Sequence, residues 1–126
     1  MRFIFGGAYS GKTAFALDES GLALQDVVSG ADCSLCGEQG IKILNGLHLL
    51  VKRLLTCRKD PFLFLDRLIK ENPDIIIISD EIGSGIVPPE AEERQWREAV
   101  GRLCCEAVRR AQRVDRLLCG VPQRLK

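Results

Sequence analysis

The sequence predicts an α/β fold of three layers, a parallel β-sheet flanked by helices, in a single domain spanning residues 1–126. Three observations predict it. Short apolar runs alternate with helical patterns along the whole chain, which is the signature of a parallel sheet. One run, residues 75–78, is four consecutive isoleucines, which suits a strand covered on both faces. The length of 126 residues supplies one hydrophobic core rather than two.

Taken in order, residues 2–5 read as the first strand, stopped by Gly6-Gly7, and the helix-competent run 14–17 follows. Residues 24–28 are a weaker strand candidate. Residues 29–40 are rich in Gly and Cys, show no periodicity and are expected to form a loop. Residues 41–44 are the next strand, followed by a Leu-rich helical segment that carries His48. Asp60-Pro61 starts a helix, with Asp as the cap and Pro at the first helical position. Phe62, Leu65, Leu68 and Ile69 share one face, and Asn72-Pro73 ends the run. Residues 74–78 are the third clear strand. The clearest helix spans about 90–112, with a stripe of Trp96, Val100, Leu103, Ala107 and Ala111. Glu93/Arg97, Glu98/Arg102 and Glu106/Arg110 stand four apart with the acid first, the better order for helical ion pairs. Residues 114–119 are the last strand expected.

A formal net charge of +1 gives no global field to recruit nucleic acid or a membrane surface. No apolar run approaches the roughly 20 residues of a membrane span, and the apolar opening ends too early for a signal peptide. Six cysteines in an α/β-patterned chain without an export signal are expected as reduced thiols in the cytoplasm.

Gly6-Gly7-Ala8-Tyr9-Ser10-Gly11-Lys12-Thr13 fits G-x-x-x-x-G-K-[ST] in full, between a strand and a helix, as a phosphate-binding loop requires. Glycines let backbone N–H groups turn toward phosphate oxygens, and the helix start adds its positive dipole end. Lys12 is expected to neutralise the β- and γ-phosphates and the Thr13 hydroxyl to ligate Mg²⁺. The motif predicts binding of a nucleoside triphosphate, ATP or GTP, on a P-loop NTPase-type, RecA-like sheet. A carboxylate at a neighbouring strand end usually organises the metal. Residues 75–78 run into Ser79-Asp80-Glu81, whereas residues 41–44 run into the neutral Asn45, so chemistry alone selects Asp80 or Glu81.

Residues 79–88, Ser79-Asp80-Glu81-Ile82-Gly83-Ser84-Gly85-Ile86-Val87-Pro88, resemble the E-V-G-x-G-I-V-P signature of the bifunctional adenosylcobinamide kinase/adenosylcobinamide-phosphate guanylyltransferase family. The likeness continues through Arg94, Trp96-Arg97, Ala99 and Gly101-Arg102, similar to R-x-F-R-D-x-x-G-R. It closes on Gly120-Val121-Pro122 and Leu125-Lys126, similar to G-x-P-x-K-L-K. The loop at 6–13 resembles the family's G-G-A-R-S-G-K-S. The resemblance implies a homo-oligomeric enzyme of cobalamin biosynthesis. Such an enzyme phosphorylates the aminopropanol hydroxyl of adenosylcobinamide with ATP or GTP, then transfers GMP through a histidine.

The departures from the family carry equal weight. The chain is shorter than usual members, mostly around residues 29–40, where the family has a helix bearing the guanylylated histidine. His48, the single histidine, lies in a stretch that resembles the segment after the family's third strand. It is expected as a packed or surface residue, and guanylyl transfer is expected to be absent. Asn45 stands in the nucleotide site where the family has an acid. Asp80 stands where the family usually has Asn, so an exchange between neighbouring strand ends would restore the same charge. Lys12, Asp80 and Glu81 are therefore the expected catalytic residues, with Mg²⁺ held by Thr13 and Asp80. The rival expectation is a degenerate relative that binds nucleotide without turnover and acts as a regulatory or assembly partner.

Cys33-Ser34-Leu35-Cys36 could form half a zinc site or a redox pair, but no second C-x-x-C exists and free loop thiols are expected. Cys104, Cys105 and Cys119 are expected as core fillers. Arg109, Arg110, Arg113 and Arg116 are expected as a solvated basic face near a helix C-terminus.

Overall fold

The computed structural model describes residues 1–37 and 39–126. Its six strands are β1 (Arg2–Gly6), β2 (Val27–Ser29), β3 (Ile43–Asn45), β4 (Ile76–Asp80), β5 (Arg113–Leu118) and β6 (Val121–Arg124). They lie in the order β2-β3-β4-β1-β5-β6, all parallel except β6, which runs antiparallel to β5. Four helices connect them: α1 (Lys12–Ser20), α2 (Leu47–Thr56), α3 (Pro61–Glu71) and α4 (Ala91–Arg110).

The alternation of side chains along each strand divides the core in two. Ile4, Ile43, Ile76, Ile78 and Leu117 face α1 and close on Ala16. Phe3, Leu44, Ile77 and Val114 face the other way, against Leu47, Leu50, Val51, Leu65, Leu103 and Ala107 of the remaining helices. Ile77 and Ile78 are fully buried on opposite faces, which is why an unbroken isoleucine run is tolerated in the middle of the sheet.

The helix ends follow local chemistry. Asp60 Oδ1 accepts the Phe62 N–H at 2.8 Å and the Leu63 N–H at 3.4 Å, with Pro61 at the first helical position. Gly21, at φ 69°, ends α1 and donates its N–H to Leu17 O. At the other end of α3, buried Asn72 accepts the Ile41 N–H at 2.9 Å and donates to Leu68 O at 3.0 Å, fixing where the chain enters β3.

Several expectations are corrected. Leu24–Asp26 is a 3₁₀ turn, and the second strand starts only at Val27. The β5–β6 pairing was not expected, and the turn between these strands uses Cys119, exposed at φ 48°, instead of burying it. Cys105 is also exposed and Cys104 only partly buried, because the buried stripe of α4 runs through Val100, Leu103 and Ala107 and leaves both off its centre. Glu98/Arg102 and Glu106/Arg110 pair at 2.6 and 2.9 Å. Glu93 instead reaches across to Lys52 at 2.7 Å, and Arg97 donates to Ile86 O at 2.6 Å. Tertiary partners there displace the intrahelical pair, which is worth only a few tenths of a kcal/mol. The four arginines do not form one solvated face. Arg109 and Arg110 pair with Glu106, Arg110 also with Asp66, Arg113 with Glu19 and Asp115, and Arg116 with Glu81.

Candidate functional site

The 6–13 loop leaves β1 at the centre of the sheet, where the C-terminal ends of β3, β4 and β5 surround it. Gly6 lies opposite Asp80 in the β1–β4 register and accepts the Glu81 N–H at 2.9 Å. A Cβ at Gly6 would stand 2.5 Å from Leu117 O and 3.0 Å from Ser10 Oγ, so the passage of β5 alone requires glycine there. Gly11, at φ 85°, caps α1 and lies against the β5–β6 turn, whose Gly120 N–H donates to Ser10 O at 3.0 Å. The hairpin missed in the sequence thus braces the loop.

Lys12 is turned inward and buried. Its Nζ lies 2.7 Å from Asp80 Oδ1, donates to Gly7 O at 2.5 Å and approaches Ser10 Oγ at 3.4 Å. The ammonium is thereby satisfied on each side that water would otherwise occupy. A cavity of about 620 Å³ opens over this arrangement, lined by residues 8–14 together with Ser29, Asn45, Gly46, His48, Leu49 and Asp80. Ala8, Tyr9, Ser10, Gly11, Lys12, Thr13, Asn45 and Asp80 are therefore brought together. Gly6 and Gly7 do not line the cavity: Gly6 is buried at the end of β1 and Gly7 is exposed. Glu81 does not share this cavity: it pairs with Arg116 at 3.2 Å and lines a separate cleft toward α4.

His48 is packed, as expected, but it also lines the cavity, which sequence reasoning did not foresee. It falls in the first turn of α2, three residues beyond Asn45, and that strand-to-helix position was the available signal. Its Nδ1 accepts the backbone N–H of Asp80 at 3.2 Å, which leaves the proton of the neutral ring on Nε2, 3.6 Å from Asp80 Oδ2. Burial holds the imidazole below its ordinary pKa; the Asp80 carboxylate opposes this, and Lys12 reinforces it. From α4, the Trp96 indole N–H donates to His48 O at 2.7 Å, and Lys52 lies 4.7 Å from the Trp96 ring centroid.

The oxygen donors beside the loop, Thr13, Asn45 and Asp80, are hard ligands of the kind Mg²⁺ selects. Among the described residues no three His, Cys, Asp or Glu side chains converge to hold a metal unaided. The donor set therefore fits an ion that completes its shell with phosphate oxygens and water. Cys33 packs into the core while Cys36 is exposed, and neither is disulfide-bonded. No helix among the described residues is long and apolar enough to cross a membrane.

A family model described as cobinamide kinase / cobinamide phosphate guanyltransferase matches residues 39–125. The chain belongs to this family. The cobinamide kinase/guanyltransferase family has a P-loop NTPase fold, acts in cobalamin biosynthesis and uses nucleoside triphosphates, generally with metal ions. The matched span includes Asn45, His48, Asp80 and Glu81, and the 6–13 loop precedes it. A search of curated proteins gives no significant match.

Proposed function

We propose that this chain is an adenosylcobinamide kinase that spends ATP or GTP, and that it lacks the guanylyl-transfer step. The observation that carries the reading is the convergence of Lys12 on Asp80, at 2.7 Å, beneath a loop whose exposed side opens into the 620 Å³ cavity. The N-terminal amides of α1 and the loop backbone bind phosphate oxygens. Lys12 leaves Asp80 for the β- and γ-phosphates when nucleotide enters, and stabilises the charge of the transferring group. Thr13 and Asp80 would hold Mg²⁺, which on binding supplies charge neutralisation and orientation of the phosphates. Asn45 contributes a neutral donor, so the anionic charge at these strand ends comes from Asp80. Asp80 or Glu81 activates the acceptor hydroxyl.

The absence of guanylyl transfer is supported by His48, whose Nδ1 is occupied and whose Nε2 faces a carboxylate. A homo-oligomer in the cytoplasm, with no nucleic-acid partner, belongs to the same reading. The test is calorimetric titration of ATP and GTP with Mg²⁺ on the wild type and on Lys12→Ala, followed by addition of cobinamide. Lys12-dependent binding followed by cobinamide phosphorylation is the expected result. Labelled GTP leaving covalent GMP on a histidine would overturn the loss of the second step.

A second reading, a nucleotide-binding relative without turnover that serves a regulatory or assembly role, draws on Asn45 and on the engagement of Asp80 by Lys12. Binding without phosphorylation would select it.

A further inference from the structure

Lys12 engages one oxygen of the Asp80 carboxylate. Its Nζ stands 2.7 Å from Oδ1, while Oδ2 faces His48 Nε2 at 3.6 Å, just beyond hydrogen-bond reach. The Asp80 backbone N–H can only donate, so its 3.2 Å contact makes His48 Nδ1 an acceptor and leaves the ring proton on Nε2. A donor is thus aimed at the second oxygen of Asp80 without yet engaging it.

Elements other than β4 also hold the ring in that place. The Gly46 N–H donates to Ile78 O at 3.0 Å, so α2 starts docked on the neighbouring strand. From α4, Trp96 ties down the first turn of α2 through its indole bond to His48 O, and the two rings lie 6.5 Å apart. Lys52 covers the far side of this contact and is itself paired with Glu93 at 2.7 Å. His48 is buried, so its rotamer freedom is already lost in the empty site and need not be given up again on binding.

We infer that His48 is a positioning residue that takes over the Asp80 carboxylate when nucleotide draws Lys12 away. The inference rests on the nucleotide reading above and adds the group that keeps Asp80 in place once the site is filled. Lys12 cannot serve Asp80 and the β- and γ-phosphates at once. When it turns to the phosphates, the carboxylate loses a charge-assisted contact and Oδ1 is left open to the metal. A shift of ~0.5 Å then brings Oδ2 within the 2.7–3.2 Å of an N–H···O bond from Nε2. A carboxylate tied by one oxygen in this way presents the other in a fixed direction, as the outer partners of metal-bound carboxylates do. One hydrogen-bond donor replaces another in this exchange, and no proton is transferred.

His48→Asn and His48→Gln separate the two ring nitrogens. Asn keeps an acceptor near the Nδ1 position and stops short of Nε2; Gln places an amide donor near Nε2 and gives up the Nδ1 acceptor. ATP is titrated calorimetrically in Mg²⁺ and in EDTA on the wild type and both variants, with urea unfolding to show that each is folded. In Mg²⁺, His48→Asn is expected to bind about fivefold more weakly, the scale of one hydrogen bond, and His48→Gln within about twofold of the wild type. In EDTA the three should converge. His48 is the single histidine, so proton–nitrogen NMR of the isotope-labelled wild type reads its ring directly. Its Nε2–H proton is expected to move downfield when ATP and Mg²⁺ are added. If the wild type phosphorylates cobinamide but His48→Asn matches its affinity in Mg²⁺ and the resonance does not move, His48 only packs and the kinase stands. Equal weakening in both variants also assigns the effect to packing. Wild type that binds ATP with Mg²⁺ and shows the shift, yet phosphorylates no cobinamide, keeps the positioning role and removes the kinase. Neither binding nor shift overturns both.

Discussion

Asp80 makes three contacts to two residues: Oδ1 to Lys12, Oδ2 beside His48 Nε2, and its backbone N–H donated to His48 Nδ1. Replacing it with Asn removes the anion but keeps the shape. Asp80→Asn is therefore expected to weaken Mg²⁺-dependent nucleotide binding by about tenfold, the scale of one charge-assisted contact. Binding measured in EDTA should change less, because Lys12 no longer has a competing carboxylate. Equal binding of variant and wild type in Mg²⁺ would remove Asp80 from the metal site. His48 sets a pH dependence of stability. Its pKa in the folded state lies below the unfolded value of about 6.5, so the unfolded chain binds the proton more readily. The stabilisation is present above pH ~6.5 and is lost as pH falls through the depressed folded value. Thermal unfolding at pH 7.5 and 5.5 should show a drop for the wild type that shrinks in His48→Asn, whose amide oxygen can still accept the Asp80 N–H. An identical drop in the variant would assign the effect to other groups. At Cys104 the outcome is opposite in kind: burial pushes the thiol up to about 11, so it should alkylate far more slowly at pH 8 than exposed Cys105.

At the scale of elements, β4 and α3 show how differently burial and capping contribute. Ile77→Ala removes a fully buried side chain from the central part of the sheet and should cost about 3–4 kcal/mol in urea unfolding. Asp60→Ala removes only the cap of α3 and should cost about 1 kcal/mol. If the two were equal, the sheet would be far more compliant than close packing allows. The same contrast explains which elements could be read from the chain. The isoleucine run and the Asp60-Pro61 start carry their own signals. In β6, by contrast, Val121-Pro122-Gln123-Arg124 is exposed throughout and contains a proline, a pattern admissible only on an edge. Nothing local selects it. It becomes a strand because the turn at Cys119-Gly120 returns it beside β5.

Across the whole molecule, the short connection after β2 is held from beneath by cations of three different segments. Arg53 donates to Gly30 O at 3.0 Å and to Cys33 O at 2.9 Å, Lys59 to Leu35 O, and Arg67 to Cys36 O. Gly30 packs so closely on Gly46 that a Cβ would stand 2.2 Å from its carbonyl oxygen. This docking fixes the turn that carries Asn45 into the site. Arg53→Ala should cost about 2 kcal/mol, as two charged hydrogen bonds to carbonyls are lost, and should speed proteolysis between residues 30 and 37. Unchanged cleavage would mean that the connection holds without it. By itself the sequence determined the three-layer α/β class, the 6–13 loop between a strand and a helix, and the acidic pair after the isoleucine strand. Each of these is written in contiguous residues whose period or turn chemistry has one economical solution. Only the tertiary structure separated Asp80 from Glu81 and brought His48 onto Asp80. Those outcomes depend on strand order and on which face each side chain takes where three strand ends meet, and residues as far apart as 12, 48 and 80 carry no local record of that meeting.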